Sequence, residues 1–333
     1  MRILVTGATG FVGSVLLPRL IGKCGAGAVS AFLLPGDSPP PTWRGTGVRT
    51  FSGDIADKAA LRSAVDGHNR VVHLAGIISY WRGDEEKLRH VNERGVGSIV
   101  ETSLEAGVDR LIHVSSVGAI GFHGNGEPAD ETTPFNWPED ILYMVSKRRG
   151  QDIVERACRE QGLRAVILNP ASIMGPGDHN PSTPHNELFR RISQGRLFCS
   201  FAGGLAIVDV RDLVAIILKA LEGAGRDGES YLVVGANLPY REVIRRISRT
   251  CGRRAFPFPV PPPLMVAAGR VLEWSSRRTG RRPLLTAAYG KLSGWTAYYD
   301  NAKSRREFDH DYIPVDKTIR DGWRYYREMF LEA

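Results

Sequence analysis

The sequence predicts an α/β fold: a parallel sheet with helices on both faces, plus a smaller mixed C-terminal region laid over one end. Three observations predict it. The first half alternates short β-rich runs with longer helical stretches. Several of those runs are almost continuously apolar, as strands must be when both faces of a parallel sheet are covered. The first run leads straight into a glycine-rich turn, Gly7-Ala8-Thr9-Gly10-Phe11-Val12-Gly13, and then into an apolar helix.

The elements follow in order. Predicted strands are Arg2–Thr6, Val29–Leu34, Val48–Ser52, Arg70–Leu74, Leu111–Ser115 and Ala165–Leu168. Between them, helical periodicity marks Phe11–Ile21, Lys58–Val65, Glu86–Ala106 and Asp140–Gln161. Strand, helix and strand repeated this way imply right-handed parallel crossovers. The second half is less regular. Helices are predicted at Asp212–Glu222, Tyr240–Thr250 and Thr318–Phe330, while 175–186 reads as a polar turn region. The proline-rich stretch 255–263 is predicted to be neither helix nor central strand. A dinucleotide-binding part is assigned to 1–172 and about 206–228, and a substrate-binding part to about 173–205 and 229–333.

Composition narrows the function classes. A chain of 333 residues with 42% hydrophobic content supplies a sizeable core. The formal net charge of +8 is spread along the chain. It favours acidic ligands such as phosphates and gives no sign of nucleic acid. Cys24, Cys158, Cys199 and Cys251 are scattered, with no CxxC pair, which fits reduced thiols in a cytoplasmic protein. The opening MRILVTGATG does not read as a signal peptide. Leu264–Trp274 carries Arg270 and Glu273 and is too short for a membrane span, so it reads as an amphipathic helix.

The glycine turn is the signature of a Rossmann-type sheet. Glycines there permit a tight turn, close approach of the backbone to a pyrophosphate, and close helix-to-strand packing. The free N–H groups and dipole of the helix start favour the anion. Gly7, Thr9, Gly10, Phe11, Val12 and Gly13 are therefore candidate cofactor contacts. An acid about 20 residues further on would bind the adenosine ribose and favour NAD. That position falls at Leu33 and Leu34; Asp37 lies beyond, in a loop, and Arg44 further still. The missing acid favours NADP over NAD. Asp54, with Ile55, is placed to meet the adenine.

Tyr143 and Lys147 lie four apart on one helical face, and Ser116 follows the strand expected beside it. A lysine cation near a phenol favours the phenolate and lowers its pKa. Tyr143 is thus a candidate general acid/base for a carbonyl or alcohol oxygen, and Ser116 a donor to the same oxygen. The Tyr-x-x-x-Lys spacing alone recurs on ordinary amphipathic helices. The three groups in this order behind a glycine turn are far more specific.

These motifs resemble the extended short-chain dehydrogenase/reductases, the NAD-dependent epimerase/dehydratase family. Within it the likeness is to dihydroflavonol-4-reductase-like and hopanoid-associated sugar epimerase-like members. Further matching segments are His73-Leu74-Ala75-Gly76, Asn92, Asn169-Pro170-Ala171-Ser172, Gly175-Pro176-Gly177, Val208 to Asp212 and Asp300 to Lys303. The resemblance implies a mixed Rossmann sheet, a smaller C-terminal substrate domain, and hydride transfer assisted by Ser116, Tyr143 and Lys147. It implies that Leu74, Ala75 and Gly76 line the cofactor and that Pro170 and Ser172 flank the nicotinamide. Tyr143 and Lys147 would also contact the cofactor, and Asn92 would be structural. A homodimer through Glu86–Ala106 and Asp140–Gln161 is a further implication. Nucleotide-sugar epimerases carry an Arg ahead of the segment matching Val208, and 202–207 here contains no basic residue.

Other features carry less. Asp178, His179 and His185 share a loop without the spacing of a metal site, and no metal is expected. Arg277, Arg278, Arg281 and Arg282 read as a solvated basic cluster, or as a site for an acidic lipid or anionic tail. Tyr80 and Trp81 are expected at a pocket wall or in the core. The leading expectation is an NAD(P)-dependent oxidoreductase acting on a carbonyl or secondary alcohol of a small, fairly apolar substrate. A sugar epimerase or dehydratase with tightly bound NAD, and a non-catalytic dinucleotide sensor, are the alternatives.

Overall fold

The computed structural model describes residues 1–197, 199–254 and 257–332. Seven strands form the main sheet: β1 (Ile3–Thr6), β2 (Val29–Leu33), β3 (Arg49–Ser52), β4 (Arg70–His73), β5 (Arg110–Val114), β6 (Ala165–Pro170) and β10 (Ser230–Val233). Their order is β10-β6-β5-β4-β1-β2-β3. All six pairings are parallel, where the family resemblance implied a mixed sheet. β1, β2, β5 and β6 are buried throughout, which explains their unbroken apolar runs. β3 is mostly exposed, as an edge strand.

Side-chain alternation sorts the helices. Ile3 and Val5 point into one core with Leu16, Leu17 and Leu20 of α1 (Phe11–Cys24) and Leu213, Ile216 and Ile217 of α7 (Val210–Leu221). Leu4 points the other way. There it meets Leu61 of α2 (Lys58–Val65), Ile99 of α4 (Gly95–Glu105) and Val154 of α5 (Leu142–Gln161). The helix expected over Glu86–Ala106 comprises α3 (Glu85–Arg89), a π-helical turn at His90–Arg94, and α4. A turn of that kind widens the helix, a change short-range periodicity does not register.

The rest of the chain builds on one end. β7 (Ser172–Met174), β9 (Gly204–Asp209) and β11 (Ala236–Pro239) make a small mixed sheet. It packs with α6 (Pro184–Ser193), α8 (Tyr240–Thr250) and α12 (Val315–Phe330) around Phe189, Ile207, Ile247 and Ile319. β8 (Cys199–Ser200) pairs with β12 (Phe258–Pro259). The helices α9 (Pro262–Thr279) and α10 (Ala287–Leu292) follow, then α11 (Ala302–Phe308) beside β10.

Two expectations are corrected here. β10 completes the main sheet against β6, so 230–233 do not belong with the smaller region to which 229–333 was assigned. One edge strand of four residues, far along the chain, carries no local sign of which sheet it joins. The proline-rich stretch also contains a strand and a helix start. Pro262 and Pro263 lie in the first turn of α9, where a missing N–H costs nothing, and Phe258–Pro259 form an edge ladder. Ala255 and Phe256 of that stretch lie outside the described residues.

Candidate active site

Strand order reverses between β1 and β4, so their C-terminal ends open a crevice at the switch point of the sheet, where such folds bind ligands. The glycine turn sits there. Gly7 has φ of 67°, and a Cβ on it would lie 2.7 Å from the backbone nitrogen of Ala75. Any side chain would push the two lips of the crevice apart. On Gly13, a Cβ would lie 2.6 Å from the Ala8 Cα, so glycine lets α1 press against the turn. Gly10 caps α1 without a side-chain hydrogen bond, and no acid lies in the first turn. Its N–H groups are thereby left for an anion. These features fit a dinucleotide pyrophosphate.

The rim adds a residue that spacing did not assign. The Thr9 hydroxyl donates to Asp37 Oδ2 at 2.8 Å. The loop after β2 thus folds back and brings a carboxylate to the glycine turn. Asp54 accepts from the Ala56 N–H at 2.8 Å and pairs with His90 at 2.7 Å, both through Oδ1. These bonds and the nearby Arg94 lower its pKa against the opposing effect of burial. Ile55 buries its side chain beneath Gly95, whose Cβ would meet it at 2.7 Å. Its contribution to a cofactor would therefore be through backbone.

Below the crevice lie two buried histidines. Thr6 Oγ1 bonds His73 Nδ1 at 2.8 Å, and the His73 and His113 rings stack at 5.4 Å. Burial, then the Lys147 charge, lowers the His73 pKa to about 3. Burial, His73 and Lys147 push His113 well below the usual imidazole range.

The acid/base group is assembled from three elements. Ser116 is extended, and its Oγ accepts from the Gly118 N–H at 3.0 Å. Its carbonyl accepts from Asn169 Nδ2 at 2.7 Å, and the same amide nitrogen donates to Gln151 of α5 at 2.7 Å. β5, β6 and α5 are thereby tied together at the site. Lys147 Nζ donates to the Val114 carbonyl at 3.4 Å, and burial lowers its pKa to about 8. Gly76 lies alongside: a Cβ there would be 3.6 Å from Lys147 Nζ and 3.4 Å from Asn92 Oδ1. Asn92, in the π-helical turn, exchanges two 3.0 Å hydrogen bonds with the Ile77 backbone and donates to Ser146 Oγ at 3.0 Å. Pro170 and Ala171 continue β6 beside β10, and Ser172 opens β7.

Burial raises the Tyr143 pKa, and a hydrogen bond with Ser116 only partly offsets it. This corrects the expectation that the lysine cation lowers it: Lys147 Nζ donates to the Val114 carbonyl, and burial outweighs the Ser116 hydrogen bond. The desolvation comes from an aromatic wall. Tyr80 meets Tyr143 edge-on at 5.7 Å and Tyr289 at 5.3 Å. Phe201 lies 5.3 Å from Tyr289 and 4.9 Å from Tyr240. Nearby, Phe122 stacks on Trp137 at 4.2 Å, and both lie tilted against Trp295 at 5.6 and 5.7 Å. Tyr80 therefore joins the wall as expected, whereas Trp81 folds over Gly83. Sequence reasoning missed Tyr240, Tyr289, Phe201 and Trp295, which lie in stretches without motifs.

The two histidines part company: His179 stays in the loop, whereas His185 is in the first turn of α6, so the turn region expected over 175–186 gives way to helix at Pro184, where a proline needs no N–H partner. His179 bonds the Tyr325 hydroxyl at 2.9 Å. His185 faces Asp178 at 3.3 Å and packs on Phe11 at 4.9 Å. Arg211, after β9, is held by Asp209 and Asp321.

Comparisons with known proteins agree with this architecture. The NAD dependent epimerase/dehydratase family model matches residues 3–234, more than half of the chain. The chain is 29% identical over 331 residues to "Sterol demethylase protein B" of Methylococcus capsulatus, covering 98% of this chain and 99% of that protein. It is also 29% identical over 329 residues to a "Putative dihydroflavonol 4-reductase" of Synechocystis, covering 97% and 94%. The solved structure of gox2253 superposes with a TM-score of 0.84 at 29% identity, covering 99% of this chain and 98% of that one. With its glycine turn at the switch point of a seven-stranded sheet, the chain belongs to the NAD dependent epimerase/dehydratase family, as an NAD(P)-dependent enzyme of the extended short-chain dehydrogenase/reductase type.

Proposed function

We propose that the protein interconverts a ketone and a secondary alcohol on an apolar substrate, using NAD(H), with Tyr143 as acid/base. The aromatic wall around Tyr143 carries this reading. Tyr80, Tyr289, Phe201 and Tyr240 offer rings and few charges, which suits an apolar body with one reactive oxygen. The names of the two curated relatives, one of sterol and one of flavonoid chemistry, point the same way. The bound dinucleotide supplies the hydride acceptor or donor.

The residues do the rest. Tyr143, held protonated by burial, donates its proton to a carbonyl oxygen during reduction and takes one from the alcohol during oxidation. Ser116 hydrogen-bonds the same oxygen and helps the phenolate form. Lys147 would hold the nicotinamide ribose as an ammonium below its pKa of about 8. Leu74, Ala75 and Gly76 would line the cofactor, and Pro170 and Ser172 the nicotinamide end. The choice of NAD over the NADP favoured by sequence rests on Asp37. A carboxylate at the turn after β2 hydrogen-bonds a ribose hydroxyl and repels a 2′-phosphate.

The test is oxidation of a panel of apolar secondary alcohols by wild type and Tyr143→Phe, followed by NADH absorbance. The variant should lose about 10²–10⁴-fold in turnover while still binding NAD⁺. Wild-type-like turnover by Tyr143→Phe would overturn the assignment.

A further inference from the structure

Surface helices of a folded protein turn their apolar stripe inward. α9 does the reverse. Its contact with the body runs along Met265, Val266, Gly269, Glu273 and Ser276, and only Gly269 and Ser276 are buried. Leu264, Val271 and Trp274 lie on the opposite face and are 56–64% exposed, while Leu272, on the flank, is 37% exposed. Phe258 before the helix is 74% exposed, and Leu284 after it 88%. Six of the ten exposed large apolar side chains among the described residues fall between 258 and 284.

Cations frame this face. Between 264 and 285 stand Arg270, Arg277, Arg278, Arg281 and Arg282, against the single acid Glu273. All five arginines are exposed, and only Arg282 is held by a neighbouring acid, Asp84, at 3.1 Å. The Arg278 guanidinium lies 4.1 Å over the Trp274 ring, so a cation and an amphipathic ring share one edge. An apolar face edged by arginine and tryptophan complements the boundary between anionic headgroups and acyl chains. Among the described residues no helix is long and apolar enough to cross a membrane, so a bilayer contact here would lie in the interface plane.

The face is joined to the active site. Gly269 crosses α10 so closely that a Cβ on it would lie 2.5 Å from the Ala287 nitrogen, and Gly290 abuts Met265 and Val266 in the same way. α10 carries Tyr289, which reaches Tyr80, and Tyr80 reaches Tyr143. Between α9 and Trp295 runs a groove of about 480 Å³, lined by Pro262, Val266, Arg270, Lys291 and Gly294.

We propose that α9, with its flanking Phe258, Leu284 and arginines, docks the enzyme on an anionic lipid surface, with α9 and α10 standing between the bilayer and the aromatic wall. Docking follows from the surface alone. Its consequence, that apolar substrate enters from the lipid phase, rests on the function proposed above.

The test is flotation of the purified full chain with vesicles of phosphatidylglycerol and phosphatidylcholine, and of phosphatidylcholine alone. Val271→Asp/Trp274→Asp removes the apolar face, and Arg277→Glu/Arg278→Glu reverses charge. All four side chains are exposed, so both variants keep the fold. Wild type should float with the anionic vesicles and at least tenfold less with the neutral ones. Loss of each basic residue is worth about fivefold at a membrane surface. Each variant should lose at least tenfold in bound fraction, and added salt should release the wild type. Light scattering without vesicles should give one mass for all three proteins. Absence of flotation, or equal flotation of wild type and variants, overturns the proposal. So does a smaller mass for Val271→Asp/Trp274→Asp, which would make the face a contact between copies of this chain. None of these readouts needs turnover, so failure here is distinct from failure of the proposed reaction.

Discussion

Lowering the pH tests the buried His73–His113 pair beneath the cofactor crevice. His73 has a pKa of about 3 in the fold, against 6.5 for a free imidazole. The folded protein keeps the ring neutral between those values, while the unfolded chain takes up a proton. Stability is therefore fully present above pH 6.5 and is lost as pH falls toward 3. With those two values, the loss between pH 8 and pH 5 is about 2 kcal/mol from His73 alone. His73 is fully buried, so solvent does not screen this figure. His113 and His185, also lowered, add in the same direction. The assay is urea unfolding from pH 8 to pH 5 for wild type and His73→Phe, with imidazole NMR to follow the ring. His73→Phe loses the Thr6 bond and is less stable at pH 8. Its pH slope, however, should be shallower by about 2 kcal/mol over that interval. Lys147→Met should raise the His73 titration point, because the lysine charge is one of its two depressing causes. An unchanged slope in His73→Phe, or a His73 ring that titrates near 6.5, would refute the reasoning.

Three further outcomes are expected. Gly13→Ala places a Cβ 2.6 Å from the Ala8 Cα and forces α1 off the turn, so calorimetry should show NAD⁺ affinity falling by at least about tenfold. Asp37→Asn keeps an oxygen acceptor for Thr9 but removes the charge. The ratio of kcat/KM for NAD⁺ over NADP⁺ should drop by about tenfold or more, in line with about 1.5–3 kcal/mol for a charged hydrogen bond. Arg110 is buried, pairs with Asp227 at 3.1 Å and donates to the Ala220 and Gly225 carbonyls. Arg110→Met should cost about 3 kcal/mol in chemical denaturation by leaving those acceptors unpaired.

Legibility in this sequence follows the distance over which a residue is decided. The glycine turn and the Tyr143–Lys147 pair are set within one turn or one helix, and their spacing exposes them directly. The apolar runs of β1, β2, β5 and β6 likewise report burial on two faces. Asp37 is different: its partner Thr9 is 28 residues away, and a loop of irregular length brings them together. Counting from the turn lands on leucine and misses it. The aromatic wall draws Tyr80, Phe201, Tyr240 and Tyr289 from four segments that share no spacing. For the same reason the direction of the Tyr143 shift was hidden. The lysine four residues on is visible in sequence, whereas the rings that desolvate the phenol are not.

Asn92 has a consequence for how this enzyme can change. Its one side-chain amide clasps the Ile77 backbone twice and reaches Ser146 on the helix of Tyr143. Cofactor seat and proton donor are therefore tied together by one side chain. Tyr240, Tyr289 and α9 are outside that clasp, on the far part of the chain. Substitutions there can retune which molecules are admitted while the distance over which hydride and proton travel stays constant, so new substrates are reached without rebuilding the chemistry.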